Sequence, residues 1–400
     1  MQESRAMRQA RRLLSYIVEA NGTPCEVEFA SGETLRCGAG KPRIFVKFHN
    51  DRALLGDVTE FSLGKAYLRG EWDVEGDILN ALDLRHHLQG QGHLYTKLKF
   101  ISELFFNSAT RVNKRAIAAH YSFGDDFYFT FIDYNYRFYS HGIFHSDDET
   151  LEQASEHKLE SMYAALQLKP GMRLLDIGAG WGGVHQYCGP RGIHVTSLTL
   201  SEDSYNYTNS LIKRIGLDNC SIILDDFLNH HPKAPYDAVV IYGVIEHIPY
   251  YRKFCERMWA CLKPGGRVYM DAAAALQKYD VNDFARNYIW RGTHTFLCLQ
   301  DIVQELLYYG MEIVEIKRET HDYALTMKHW AMRFDNNREK IIERWGTEIY
   351  RAFRMYLWVG CNCLRANTLQ AYHIVAQKHF LPGPRPGFSR RTYNFIRSIV

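Results

Sequence analysis

The sequence predicts a doubly wound α/β sheet preceded by a small α+β domain, and three observations lead to this prediction. From about residue 150, short apolar runs typical of buried strands alternate with stretches of helical length. One of these runs, 173–177, leads into a glycine-rich turn that contains Gly178, Gly180, Gly182 and Gly183. A chain of 400 residues is also longer than one ordinary core requires, which indicates two domains.

The first domain, residues 1–85, is predicted to be a small α+β module. Residues 6–20 carry apolar side chains at helical spacing, and a second short helix is expected over 61–68. Between the two helices, short alternating or apolar stretches separated by glycine- and asparagine-containing turns predict strands over 25–29, 34–36 and 43–48.

The second domain, residues 119–385, is expected to contain the main sheet, and the polar, basic stretch 86–118 is interpreted as a helical linker. A helix is predicted over 151–166. Successive short strands are predicted over 173–177, 193–198, 221–224, 238–242 and 267–270. Parallel strands joined by crossover helices place ligands at the carboxyl ends of the strands. The helical, aromatic-rich stretches 280–310 and 335–365 are therefore expected to cap that face.

Composition excludes several classes of partner. The net charge of +3 indicates no polyanionic partner, so we expect no nucleic acid. The nine cysteines are scattered without a CxxC pair, which indicates reduced thiols and no metal site. No window reaches the ~18 apolar residues of a spanning helix. We therefore expect a cytoplasmic protein that at most rests on the inner membrane surface.

The glycine turn predicts a nucleotide-like cofactor, but its identity needs a second signal. Gly178-x-Gly180-x-x-Gly183 satisfies the dinucleotide-binding pattern, which is weak evidence alone. Asp176, two residues before the first glycine, would crowd a pyrophosphate. Downstream, the segments 236–247 and 262–266 follow at spacings that resemble those of class I S-adenosylmethionine methyltransferases. The cofactor of these enzymes is a cationic sulfonium, which tolerates a nearby carboxylate. A dehydrogenase and a purely structural βα turn are the alternatives.

Longer segments resemble the cyclopropane fatty acid synthase and mycolic acid methyltransferase family over about residues 40–378. The resemblance implies a Rossmann-like class I methyltransferase fold, and 63–77 is similar to the N-terminal lipid-binding module of the longer members. The segments that carry it read HYSFGDDF (120–127), YSHGIF (139–144), LKPGMRLLDIGAGWGG (168–183), IEHI (245–248), DYALTMKHW (322–330) and the stretch 356–366.

What the resemblance implies is methyl transfer from S-adenosylmethionine to the cis double bond of an unsaturated acyl chain, often within a phospholipid. Attack by the alkene leaves a carbocation, and loss of a proton gives a cyclopropane or a methyl-branched chain. The implied partners are the acyl lipid, a transient membrane-surface contact and a second copy in a homodimer. A methyltransferase of small secondary metabolites and a catalytically silent lipid-binding protein are the alternatives.

The resemblance also implies the residues that bind the cofactor. Asp226 would lie near the adenine, and Asp176 would act through backbone and turn geometry. The full set is Tyr139, Ser140, Asp176, Gly178, Gly180, Gly182, Thr199 and Asp226.

The catalytic positions depart from the family pattern at two of four residues. In the family, a cysteine, a glutamate, a histidine and a tyrosine hold a bicarbonate ion that acts as the base. Glu246 and Tyr323 match, whereas His141 replaces the cysteine and Asp271 replaces the histidine. Two carboxylates would repel an anion, so we hypothesise that one of these groups, rather than bicarbonate, takes the proton. The alternative is that Asp271 and His141 pair with each other and only hold the loop.

Overall fold

The computed structural model describes residues 4–55, 58–88, 123–277, 288–289 and 294–379. The predicted linker lies outside the described residues from 89 onward, and so does most of 278–293, within the predicted capping stretch 280–310. None of the helices in the described ranges is long and apolar enough to span a bilayer.

The N-terminal module consists of a four-stranded sheet covered by one amphipathic helix. Helix α1 is N-capped by the Ser4 side chain and packs Leu13, Leu14 and Ile17 into the module's core. The strands stand in the order β2-β1-β3-β4, and only β1 and β3 are parallel. The predicted elements of this module are confirmed: they are α1 (Arg5–Asn21), β1 (Cys25–Glu28), β2 (Thr34–Cys37), β3 (Ile44–Phe48) and α2 (Glu60–Leu68), joined by β4 (Trp72–Gly76), α3 (Ile78–Ala81) and α4 (Arg85–Leu88).

The second domain is built on a seven-stranded sheet in the order β10-β11-β9-β8-β5-β6-β7. All five predicted strands are present, and β5, β6, β7, β8 and β9 run parallel. The strands are β5 (Arg173–Ile177), β6 (His194–Thr199), β7 (Cys220–Leu224), β8 (Tyr236–Tyr242), β9 (Leu262–Ala274), β10 (Met311–Arg318) and β11 (Gln370–Lys378).

Helices cover the sheet and the end at which its parallel strands stop. The predicted helix over 151–166 is confirmed as α6. The helices are α5 (Asp125–Tyr128), α6 (Leu151–Ala165), α7 (Gly183–Cys188), α8 (Glu202–Arg214), α9 (Tyr251–Cys261), α10 (Leu299–Tyr308), α11 (Thr320–Asn336), α12 (Arg338–Trp345) and α13 (Thr347–Arg365).

The strand order reverses between β5 and β8, and this reversal positions the site. From β5 the chain proceeds outward through β6 to β7, then crosses back to place β8 on the other side of β5. In an open α/β sheet, a crevice forms at such a switch point, beyond the carboxyl ends of the strands. The glycine turn follows β5 directly and therefore lies at the crevice.

Two strands of the seven-stranded sheet, β10 and β11, were not predicted from the sequence. β11 is inserted between β9 and β10 and runs antiparallel to both. Its apolar residues form only a short run, Ile374 to Ala376, next to polar His373 and Gln377, so the periodicity is weak. Pairing with the long strand β9, from Gln370 to Gln377, supplies the order that the local pattern does not.

The helices α11 to α13 form an aromatic layer that packs against two residues of the crevice wall, Trp181 and Tyr139. The capping role predicted for 335–365 stays a prediction. Phe334, Phe353 and Leu357 from these helices share one core cluster with Trp181 and partly buried Tyr139. The same layer joins the two domains, because three arginines of α13 reach the N-terminal module. Their contacts are Arg351 to Asp73 (2.7 Å), Arg354 to the Tyr67 hydroxyl (3.0 Å) and Arg365 to Asp83 (2.6 Å).

Candidate active site

The glycine turn after β5 leaves room for a ligand against its backbone. Gly178 has φ +98°, and a Cβ there would lie 2.3 Å from the Val244 side chain. Gly180 has φ +50°, and a Cβ there would approach only a carbonyl oxygen at 4.0 Å, so the space beside it is open. These conformations and close approaches require glycine.

A deep crevice at the carboxyl ends of β5, β6 and β8 contains seven of the eight predicted cofactor residues in its lining: Tyr139, Ser140, Asp176, Gly178, Gly180, Thr199 and Asp226. Gly182 is the exception. Its φ is +80°, and a Cβ would meet Leu211 of α8 at 2.6 Å, so it serves backbone geometry and helix packing. Its predicted role in cofactor binding stays a prediction.

The acidic residues of the crevice are held by nearby donors. Asp176 is buried and accepts a hydrogen bond from the Ser197 hydroxyl at 2.7 Å. Burial raises the pKa of Asp176 to about 7, and the Ser197 hydrogen bond opposes that rise. Asp226 accepts from the backbone N–H of Leu228 at 2.9 Å. The Asp176 side chain thus has its own hydrogen bond, in addition to the turn geometry expected from the sequence.

An aromatic wall closes one side of the crevice. Trp181 donates its indole N–H to the Asp125 carboxylate at 2.6 Å, and both residues line the crevice. Tyr128 packs against Trp181 and Tyr139 with ring centroids 5.1 Å from each. A cationic sulfonium cofactor fits this set of aromatic faces and carboxylates, since both attract positive charge. The sequence analysis had not singled out Asp125 or Trp181 as crevice residues.

Glu246 is a buried carboxyl with one oxygen uncommitted. Its Oε1 accepts the backbone N–H of Ala273 at 2.9 Å, whereas Oε2 has no hydrogen-bond partner among the described residues. Burial raises the pKa of Glu246 to about 8, with a further contribution from the nearby Asp271 charge. Its sequence neighbours Val244 and His247 line the crevice, whereas Glu246 itself is not among the lining residues.

Asp271 does not pair with His141. Its Oδ2 lies 2.7 Å from the ammonium of Lys158, and its Oδ1 accepts the Gly243 N–H at 2.8 Å. Both Asp271 and Lys158 are 1 % exposed. Because both oxygens are engaged, Asp271 is placed as a counter-ion rather than as a free proton acceptor. The alternative of an Asp271–His141 pair is therefore wrong.

Lys158 organises the loop that carries Tyr139, Ser140 and His141. Its ammonium donates to the Ser140 hydroxyl at 2.6 Å and to the His141 carbonyl at 2.8 Å. The ammonium also lies 4.1 Å above the Tyr242 ring. A fully buried charge needs such partners. The sequence offered little signal for it, because a lysine inside an amphipathic helix is usually solvated.

His141 has a different acidic partner. Its Nε2 lies 2.7 Å from Glu319 Oε2, and the other oxygen of Glu319 lies 2.6 Å from Nδ1 of His373 on β11. The ring of Tyr323 stacks on His141 with centroids 4.8 Å apart. The structure thus brings the predicted residues His141 and Tyr323 together. Glu319 and His373 had escaped the sequence analysis, because 178 and 54 positions separate Glu319 from its partners.

Comparison with known proteins gives a consistent result. A family model described as mycolic acid cyclopropane synthetase matches residues 108–374. The chain is 25% identical over 373 residues to a sphingolipid C9-methyltransferase of Komagataella phaffii, covering 86% of this chain and 76% of that protein. It is 27% identical over 326 residues to the cyclopropane-fatty-acyl-phospholipid synthase of Escherichia coli, covering 78% and 82% of the two chains.

Solved structures agree on the fold. Mycolic acid cyclopropane synthase CmaA1, crystallised with SAH and CTAB, superposes with a TM-score of 0.62 at 23% identity, covering 66% of this chain and 98% of that one. At this identity the likeness shows the fold alone. Because the family model spans well over half of the sequence, this chain belongs to the mycolic acid cyclopropane synthetase family and is an S-adenosylmethionine-dependent methyltransferase that acts on lipids.

Proposed function

We propose that this protein transfers a methyl group from S-adenosylmethionine to an olefinic carbon of an unsaturated acyl chain in a lipid. The observation that carries the proposal is Glu246, a buried carboxyl whose Oε2 accepts no hydrogen bond from the described residues. Its sequence neighbours Val244 and His247 line the cofactor crevice. A buried carboxyl oxygen that accepts no hydrogen bond lowers the stability of the folded state. It is well suited to a reaction in which positive charge develops on a substrate that offers no hydrogen bond.

S-adenosylmethionine, when bound, supplies an electrophilic methyl group. The residues lining the crevice would hold it, with Asp226 and Thr199 at the ends of neighbouring strands and Gly178 and Gly180 beneath it. The alkene forms the new C–CH₃ bond as the S–CH₃ bond breaks, and the neighbouring carbon becomes cationic. A dry, aromatic surrounding protects that cation from water and stabilises it.

We assign the remaining roles in the reaction to individual residues from their contacts. Ionised Glu246 stabilises the cation, because a charge in a buried site acts through a low dielectric. Tyr323 adds an aromatic face beside His141. Asp271, neutralised by Lys158, keeps the Ser140–His141 loop in place. The charge repulsion that argued against bicarbonate is weakened by Lys158, but we retain the hypothesis that a protein group takes the proton.

The product depends on which proton leaves. Loss from the new methyl group closes a cyclopropane ring, whereas loss from a chain carbon keeps a double bond beside a methyl branch. The similar proteins include a cyclopropane-fatty-acyl-phospholipid synthase and several sphingolipid C9-methyltransferases. The replacement of two of the four bicarbonate-holding residues favours the methyl-branched product.

The test is mass spectrometry of total lipids from cells that express the wild-type protein or Glu246→Gln, with an empty-vector control. We expect wild-type cells to gain acyl chains heavier by about 14 Da, one CH₂, with the double bond retained, and Glu246→Gln cells to gain far less. Loss of the double bond would indicate ring closure. Without any mass shift, the proposal fails, and a small-molecule substrate becomes the better explanation.

Bicarbonate gives an independent check on the purified enzyme. We expect turnover to be the same in buffer depleted of bicarbonate and in buffer supplemented with it. A strict requirement for the anion would overturn the hypothesis of a protein base. Contact with a membrane surface and homodimer formation remain predictions, which vesicle flotation and analytical ultracentrifugation can check.

A further inference from the structure

A buried carboxylate lies between two buried imidazoles behind the candidate active site. Glu319 Oε2 lies 2.7 Å from His141 Nε2, and Glu319 Oε1 lies 2.6 Å from His373 Nδ1. The exposed fractions of the three residues are 1–2 %. They come from the loop after α5, the residue before α11 and strand β11, so three distant segments build one cluster.

The hydrogen bonds determine which nitrogen of His141 is basic. Burial alone would raise the pKa of Glu319, but the hydrogen bonds from His141 and His373 are the largest opposing contributions, and the pKa lies far below its usual range. Glu319 is therefore ionised and accepts at both oxygens. In its neutral form, His141 therefore carries its proton on Nε2, which leaves Nδ1 as the nitrogen that can accept another.

Both imidazole rings are held by stacked phenols. Tyr323 stacks on His141 and Tyr269 stacks on His373, each with ring centroids 4.8 Å apart. The position of the adjacent loop is set independently, because Lys158 binds the His141 carbonyl at 2.8 Å. His141 is thus oriented through its ring face, its Nε2 and its own backbone, and Ser140 next to it lines the crevice.

We infer that Glu319 is the positioning residue that makes His141 the proton acceptor of the reaction, with His373 holding Glu319 in place. The substrate C–H bond breaks, its electron pair closes the ring or forms the double bond, and the proton bonds to His141 Nδ1. The imidazolium that results is stabilised by Glu319, as a carboxylate stabilises the histidine in hydrolase triads. This inference rests on the proposed function and names the base that it requires.

The decisive variant is Glu319→Gln, which keeps the size of the side chain and removes its charge. We expect kcat to fall about 100- to 10,000-fold, with little change in S-adenosylmethionine binding, by analogy with neutralised triad carboxylates. Thermal unfolding and cofactor titration establish that the variant is folded. Glu315→Gln is the matched control, because Glu315 is half-exposed with its carboxylate 3.8 Å from His373 Nε2, and we expect wild-type rates for it.

A deuterium isotope effect separates a role in proton transfer from a merely structural one. Deuterium is placed at the carbon that loses the proton, in the transferred methyl group for ring closure or in the acyl chain for a branched product. We expect the isotope effect on kcat to increase in Glu319→Gln, because removing the proton becomes slower. A reduced rate with an unchanged isotope effect would overturn the inference, and so would a wild-type rate.

Two further measurements keep the outcomes distinct. If Glu319→Gln does not fold, His141→Asn answers the same question through the same isotope effect, with an increase supporting the inference and a wild-type rate refuting it. If the wild-type enzyme itself makes no heavier lipid, the proposed function fails. If the wild type is active and these variants match it, only the assignment of the base fails.

Discussion

The two halves of the active site are built in different ways. The cofactor half consists of one turn and the ends of three adjacent strands, and its key contacts are backbone geometry at Gly178 and Gly180. The half that we propose handles the proton consists of side chains paired in the interior, Lys158 with Asp271 and His141 with Glu319. Backbone geometry depends on local sequence, whereas buried charge pairs depend on the whole fold. The first half should therefore be sensitive to added volume and the second to lost charge.

The largest effect is expected where a buried charge loses its partner. Lys158→Met leaves the buried Asp271 carboxyl without its counter-ion, so we expect a loss of about 3 to 5 kcal/mol in the free energy of unfolding, measured by urea denaturation. The Lys158→Met/Asp271→Asn double variant should recover part of this loss. Lys263→Met is the matched control, since Lys263 pairs with Asp237 at 2.6 Å but is 43% exposed. It should cost less than about 1 kcal/mol, and an equal loss for both lysines would contradict the interpretation.

The next effect tests the backbone of the cofactor half. Gly178→Ala forces a Cβ to within 2.3 Å of Val244 at φ +98°. We expect about 2 to 4 kcal/mol of destabilisation from strain and overpacking, and loss of S-adenosylmethionine binding in calorimetry. Gly171→Ala is the control, since Gly171 has φ +87° but no atom near its Cβ position. It should lose only the strain component and bind the cofactor normally. Cofactor binding by Gly178→Ala at wild-type strength would show that this turn does not form the site.

Ionisation of Glu246 is expected to change turnover and stability in opposite directions as the pH rises. Its pKa is raised from 4.5 to about 8, so the folded state holds a proton that the unfolded state releases between these values. Stability should therefore decrease as the pH rises from about 5 to 8, while turnover increases because the ionised form is the active one. Glu246→Gln should lose about 100-fold or more in kcat yet unfold at a higher temperature than the wild type at pH 9. A lower melting temperature of the variant at that pH would contradict the raised pKa.

The smallest effect belongs to the hydrogen bond under the glycine turn. Ser197→Ala removes the hydroxyl that donates to Asp176 at 2.7 Å. We expect a cost of about 1 kcal/mol, larger at pH 8 than at pH 6, because the bond favours ionised Asp176, whose pKa is about 7. Melting temperatures at the two pH values check this, and a loss independent of pH would contradict it. Cofactor affinity should change little.

The same contrast explains how much of the molecule could be predicted. The five parallel strands and the glycine turn follow from patterns a few residues long, and seven of the eight cofactor residues line the crevice for that reason. Gly182 packs against α8 and is not among the lining residues, which the sequence could not show, because a glycine at positive φ looks the same in sequence whether it faces a ligand or a helix. The partners of His141 and Asp271 could not be predicted, since Glu319, His373 and Lys158 come from other elements. Only the folded sheet decides which buried charges meet.

The position of β11 also has a consequence for how the enzyme is made. This strand enters the sheet between β9 and β10, although both precede it in the chain. During synthesis on the ribosome, the edges of β9 and β10 that pair with β11 stay unpaired until residues 370–378 have left the exit tunnel. Unpaired strand edges promote aggregation. His373 arrives with the same strand. A nascent chain halted before this strand would contain the complete glycine turn, His141 and Glu319, but not the His373 side chain that binds Glu319.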